Sequence, residues 1–181
     1  LTETQRLKNG LNIALNEARL SAGFQTDFVL KKLSLTHVVS SAINTQKTAF
    51  IQRNIYPAIS ISEEMMIISD EKWLAFMIEQ LLTNSLKYSY SEGKIDVTAI
   101  AHEETIQLTM TDYGVGIPAS DLPRVKRPFF TGENGRTFGE ATGMGLYLVN
   151  QVAEGLDIQL QIDSIFGQGT TITLVFPKIK Q

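Results

Sequence analysis

Gln80, Asn84 and Lys87 recur at helical spacing inside an otherwise apolar pattern, a combination suited to holding a cation together with the phosphates it neutralises. At 100° per residue, Trp73, Met77, Leu81 and Tyr88 fall within about 60° of Asn84, and Gln80 lies one turn before it. An Asn oxygen can ligate a hard cation, and the Lys87 ammonium sits on nearly the same face one turn later. A plainer reading stays open, because a buried amide bonded to backbone carbonyls would occupy the same positions.

Asp112 is the second anomaly. The alternation of Ile106, Leu108 and Met110 sends its carboxylate to the buried face at the very end of a strand, and a buried charge needs a partner. No Lys or Arg follows within ten residues, and Gly114-Val115-Gly116 lets a flat ligand approach the backbone without Cβ interference. A turn-initiating Asp is the alternative. Residues 114–119 also fit the loose dinucleotide pattern G-x-G-x-x-A, but no long helix follows directly and no βαβ unit surrounds it. The third element, Gly143-Met144-Gly145-Leu146, stands where a polar stretch becomes a helix. There free N–H groups and the positive dipole end can seat an anion, unless the glycines merely loosen a helix start. The common phosphate loop G-x-x-x-x-G-K-[ST] is absent.

The elements that position these residues follow from periodicity. Asp70 is expected to cap a helix over Glu71 to Tyr88, and a hairpin is expected from Ile95, Val97 and Ala99 to Ile106–Asp112 around His102-Glu103-Glu104. Upstream, the pattern predicts a helix face from Leu7 to Ala18 and a short strand at Lys31 to Leu35. It also predicts a helix capped by Thr36 with Val39, Ala42, Ile43 and Phe50 inward, and strands at Ala58–Ile61 and Met65–Ile68. Ten of the thirteen glycines lie between 114 and 181, so the special backbone is concentrated there. The glycine-punctuated stretch from Pro118 to Thr142 reads as a lid poor in apolar anchors. Gly143 is expected to open a helix, with Leu146, Val149, Val152 and Ala153 inward, before two strands at Ile158–Ile162 and Thr170–Phe176. Grouped helices and mostly antiparallel strands indicate an α+β class: a two-layer α/β sandwich, one mixed sheet covered on one face by helices, with an N-terminal helix remnant.

Composition narrows the function. Apolar residues make up 43% and charged residues 19% of 181, enough to fill a core, and length allows one domain with a short appendage. A net charge of −3 without a basic stripe supplies no electrostatic source for nonspecific nucleic-acid binding. The absence of cysteine excludes disulfides, thiolate nucleophiles and Cys-ligated zinc, and two histidines make a multi-His metal site improbable. His37 and His102, at a helix start and in a turn, read as plain surface residues. No apolar run reaches the ~18 to 20 residues of a membrane span. An opening at Leu1 in mid-helix suggests a piece of a larger protein.

Joined in order, five segments resemble the N box, the three glycine boxes and the F box of sensor histidine kinases. They are Gln80-Leu81-Leu82-Thr83-Asn84-Ser85-Leu86-Lys87-Tyr88, Asp112-Tyr113-Gly114-Val115-Gly116, Pro128-Phe129-Phe130, Gly143-Met144-Gly145-Leu146 and Gly167-Gln168-Gly169-Thr170-Thr171. The resemblance covers residues 30–177, and the text Phe130-Thr131-Gly132-Glu133-Asn134-Gly135-Arg136 is similar to kinases paired with peptide-antibiotic transporters. It implies the left-handed-crossover ATP fold, or Bergerat fold, shared with gyrase, Hsp90 and MutL ATPases. It also implies a catalytic ATP-binding domain over 24–181 and, over 1–23, the end of the second helix of a dimerisation and phosphoacceptor hairpin.

By this resemblance Asn84 ligates Mg²⁺, Lys87 and Tyr88 contact phosphate and ribose, and Asp112 accepts from the adenine amino group, with Thr171 assisting through water. Gly114, Gly116, Ile117, Phe130, Gly143, Met144, Gly145 and Leu146 complete the nucleotide site. Gln80 departs from the family, which has Glu in the hydrolysing members and usually Asn in the kinases, and an amide cannot take a proton as a carboxylate does. Arg127 and Arg136 are candidate lid cations for the γ-phosphate. The implied partners are ATP, a response regulator and the phosphoacceptor hairpin, in a dimeric, membrane-anchored kinase whose catalytic part is cytoplasmic. An anti-sigma-type serine kinase, a hydrolysing chaperone-like ATPase and a silent nucleotide-binding interaction module are the rivals.

Overall fold

The computed structural model describes residues 28–132, 134–135 and 142–179. The Leu7–Ala18 helix, its hairpin assignment and Arg136 therefore lie outside the described residues.

Strand β1 (Leu30–Ser34) leads into helix α1 (Leu35–Thr45), and a short α2 (Lys47–Gln52) follows. Ser34, not Thr36, is the cap: its hydroxyl accepts the His37 N–H, and Leu35 is already helical and fully buried. The single helix expected up to Phe50 breaks at Gln46. Its side chain donates to the Glu79 carbonyl at 2.7 Å, fastening the break to the long helix behind it.

Strands β2 (Ala58–Ser60) and β3 (Met66–Asp70) precede α3 (Glu71–Tyr88). Asp70 caps α3 as the sequence predicts, one carboxylate oxygen accepting Trp73 N–H at 3.0 Å and the other Val29 N–H at 2.8 Å. Helix α3 buries a continuous apolar band, Trp73, Leu74, Met77, Ile78, Leu81, Leu82 and Leu86, against the sheet and its helical neighbours. The hairpin β4 (Ile95–Ala101) and β5 (Thr105–Asp112) turns at 102–104 as expected, and β6 (Gln159–Ile165) and β7 (Gly169–Pro177) end the chain.

The main sheet runs β2-β4-β5-β7-β6, with β2 parallel to β4 and every other pair antiparallel, so it is mixed. A second, two-stranded ladder of β1 and β3, which periodicity alone does not separate, stands apart from it. On β5 and β7 the inward set (Ile106, Leu108, Met110; Ile172, Leu174, Phe176) is buried. The outward set pairs Thr109 with Thr173 and Thr111 with Thr171 through their hydroxyls. One face therefore carries the helices and the other is polar, as a two-layer sandwich requires.

The last helix, α4 (Gly145–Gly155), starts two residues later than expected, because Gly143 has φ +70° and lies outside it. The stretch before it is partly built rather than anchorless. Residues 122–124 form a 3₁₀ turn, Asp121 is buried and paired with Arg124 at 3.0 Å, and Lys126 donates to the Leu160 carbonyl at 2.9 Å.

Candidate nucleotide site

Helix α3 presents Gln80 and Asn84 on the flank of its buried band, not inside it; both are half-buried. Neither side-chain amide makes a hydrogen bond among the described residues, which removes the alternative that they merely satisfy backbone carbonyls. They face the start of α4. A Cβ placed on Gly145 would meet Gln80 Oε1 at 3.4 Å and Asn84 Nδ2 at 4.0 Å, the nearest atoms beyond its own helix and chain neighbours among the described residues.

The first turn of α4 has no side-chain cap and no acidic residue, whereas α1 and α3 are capped by Ser34 and Asp70. Its N–H groups and positive dipole end are therefore open to an anion beside two open amides. Met144 and Leu146 contribute differently, Met144 buried and Leu146 packed against the core, so both act as framework. Gly143 lies against Phe129 and Phe130, where an added Cβ would come within 2.4 Å of backbone, joining the F-box segment to the helix start.

At the other end, Asp112 is 5% exposed. Its Oδ1 accepts from Gly114 N–H at 3.1 Å and Thr170 N–H at 3.3 Å, while Oδ2 has no hydrogen-bond partner among the described residues. Burial holds the carboxyl above the usual carboxylate range, outweighing the lowering effect of those two N–H bonds, and no cation offsets it. The ionised group therefore costs the free fold stability above its folded-state pKa, and the cost disappears as pH falls below the unfolded-state value. Asp112→Asn, which keeps an oxygen for both N–H groups, is expected to raise Tm at neutral pH and to lose that advantage below about pH 4. Melting both proteins across pH checks it.

The glycines after Asp112 serve the fold more directly than a ligand. A Cβ on Gly114 would lie 2.1 Å from the Tyr88 carbonyl oxygen, which also accepts Val115 N–H, so the loop is pressed onto the end of α3. Gly116, at φ +65°, meets the Ile165 carbonyl equally closely. Gly114→Ala is expected to cost about 2 to 3 kcal/mol, the upper part of the usual overpacking range, because backbone rather than a side-chain tip must move. Denaturant titration checks it, and an unchanged midpoint would show that the loop yields without cost.

Other expected site residues are distributed unevenly. Ile117 donates its N–H to Ser164 Oγ at 2.8 Å, and Tyr88 is half-buried with Lys87 5.5 Å over its ring. Phe130 is stacked by Arg124 at 4.7 Å, not by Arg127, which is exposed. Thr171 is not brought to Asp112: β-alternation puts it on the outward face, its Oγ1 3.2 Å from that of Thr111. Thr170, directly opposite Asp112 in register, is the threonine on the face of Asp112, and Ser164 stands opposite Thr170 on the next strand. Sequence reading missed both. His37 and His102 are exposed, as expected. No group of three or more His, Cys, Asp or Glu able to hold a metal occurs among the described residues, and no helix there is long and apolar enough to cross a membrane.

Residues 69–180 match the family model described as histidine kinase-, DNA gyrase B-, and HSP90-like ATPase. Among relatives, the sensor histidine kinase YxdK of Bacillus subtilis is 38% identical over 96% of this chain and 54% of its own length. The chain thus spans about half the length of that relative. Full-length ShkA in complex with AMPPNP superposes with a TM-score of 0.79 at 20% identity, over 92% of this chain and 34% of that one. Histidine kinase ThkA in complex with response regulator protein TrrA gives 0.77 at 17% identity, over 97% and 49%. With its five boxes on this sheet-and-helix frame, the chain belongs to the histidine kinase-, DNA gyrase B- and HSP90-like ATPase family, as an ATP-binding domain of the sensor histidine kinase kind.

Proposed function

We propose that this domain binds Mg-ATP and presents its γ-phosphate to a histidine on an upstream helical hairpin, within a two-component sensor kinase. The observation that carries the reading is the pair of unbonded amides, Gln80 and Asn84, set against the uncapped start of α4. An anion seated on that helix start lies beside oxygens able to ligate its cation, while Asp112 holds an acceptor for a base amine at the far end. Asn84 is the Mg²⁺ ligand in this reading. The donor set fits Mg²⁺ only with phosphate present, since one amide oxygen and no carboxylate cluster leaves the remaining positions to phosphate oxygens and water. A Mg²⁺ ion held there would supply charge neutralisation for the phosphates.

Phosphoryl transfer is then a matter of placement. The bond from the γ-phosphorus to the bridging oxygen breaks, ADP leaves with that electron pair, and a P–N bond forms to the acceptor imidazole. Gln80 orients but does not deprotonate, which disfavours attack by water. Lys87, Arg127 and Arg136 are the cations assigned to the phosphates. The YxdK relationship supports a sensor kinase, and the lid text supports one paired with a peptide-antibiotic transporter; in this reading the whole kinase is membrane-anchored and dimeric, with this domain in the cytoplasm. The ThkA–TrrA complex supports a response regulator as partner.

The domain alone is expected to bind ATP without labelling itself, and the same domain joined to its native upstream segment is expected to gain acid-labile, alkali-stable phosphate from ATP. Stable phosphate on His37 or His102, or none after the segment is restored, would overturn the reading.

A further inference from the structure

Ser164 lies between the loop after β5 and the β6–β7 hairpin, and its hydroxyl is the centre of three contacts. It accepts the Ile117 N–H at 2.8 Å, donates to the Gly169 carbonyl at 2.8 Å, and stands 2.9 Å from Thr170 Oγ1. A serine hydroxyl has one hydrogen and two lone pairs. The Gly169 carbonyl can only accept, so the single hydrogen is spent there. One lone pair is taken by Ile117 N–H. The contact with Thr170 must then run the other way, Thr170 donating its own hydrogen to the remaining lone pair.

Thr170 is thereby left with lone pairs and no hydrogen for anything else. It sits directly across the ladder from Asp112, on the same inward face, and Asp112 also offers only acceptors when ionised. We infer that Ser164 is a specificity-positioning residue: by consuming the Thr170 hydrogen it fixes two acceptors side by side, a pair matched to the two hydrogens of an exocyclic amine, directly or through one water, and mismatched to a carbonyl. Without Ser164 the Thr170 hydroxyl is free to rotate and donate, and one of the two acceptors can adapt to an oxygen.

This inference rests on the ATP reading above and refines its base selectivity. ITP is the informative competitor, because it replaces the 6-amino group of adenine with a carbonyl and lacks the further amino group of guanine. Calorimetric Kd values for Mg-ATP and Mg-ITP are measured on the unaltered domain and on Ser164→Ala, Ser164→Cys and Ser164→Thr. The alanine variant is expected to narrow the ATP-to-ITP ratio about tenfold, about the worth of one hydrogen bond, mainly through tighter ITP binding. Ser164→Cys, which keeps the packing but bonds weakly, narrows it less; Ser164→Thr, which restores the hydroxyl, returns it. Because cysteine disturbs the fold least, it decides the matter if the alanine variant is unstable.

A purely structural Ser164 would lower both affinities together and leave the ratio unchanged, and that result overturns the inference while the ATP reading stands. An unaltered domain that binds neither nucleotide overturns both.

Discussion

GTP is expected to bind this domain at least ~100-fold more weakly than ATP, and Asp112→Asn is expected to narrow that gap while weakening ATP by about 1.5 to 3 kcal/mol. The structure makes the direction of the second effect specific. Gly114 and Thr170 N–H groups both point at Oδ1, so the oxygen of an introduced Asn is held there and its NH₂ must take the place of Oδ2. A base seated against Asp112 would then meet a donor in place of an acceptor. Adenine, offering an N–H, loses its hydrogen bond, whereas guanine, offering a carbonyl, gains one. A buried acceptor facing a carbonyl leaves both unpaired, which is why hydrogen-bond-matched sites discriminate far more strongly than apolar ones. Competition titration checks this: GTP displacing ATP at equal concentration from the unaltered domain would remove Asp112 from the base site. The same substitution is expected to stabilise the free domain at neutral pH, so its loss of ATP affinity cannot be assigned to unfolding.

What was legible in the sequence follows the length over which each signal accumulates. The Asp70 cap and the full span of α3 are correct to the residue because an eighteen-residue helix carries many turns of apolar period and one unambiguous capping group. Asp112 is buried as strand parity requires, since three preceding apolar residues set the phase. Thr171 came from the resemblance rather than from strand phase, and it lies on the outward face: with Thr170 and Thr171 adjacent, the face depends on the phase of β7, which Ile172, Leu174 and Phe176 set. That alternation was the available signal for Thr170. Ser164 had none, because its importance comes from cross-strand register between β5, β6 and β7, which no local window contains. Gly114 and Gly116 were recognised as special, but backbone-to-backbone contact is a tertiary fact and looks the same in sequence as room for a ligand. Helical periodicity likewise placed Asn84 within an arc of about 60°, and such an arc spans both the buried band and its flank.

That flank position governs the other large effect. Asn84→Ala is expected to lower ATP affinity in the presence of Mg²⁺ at least about 10- to 100-fold, the loss typical when even an outer partner of a metal is removed, and to abolish the Mg²⁺ dependence of what remains. Stability should stay within about 0.5 kcal/mol, because the side chain is half-buried, bonds to no other described residue and is not part of the band that packs α3. Alanine is also a better helix former than asparagine, which offsets part of the lost packing. The two readouts separate the assignments. Had Asn84 served the fold, its removal would move the denaturation midpoint and leave the Mg²⁺ titration unchanged in shape. As a ligand it moves the titration and leaves the midpoint. Gln80→Ala is the internal comparison: also unbonded and also near Gly145, but assigned orientation rather than the metal, it should weaken ATP less and keep the Mg²⁺ dependence. Equal losses in both variants would place the cation between the two amides instead of on Asn84 alone.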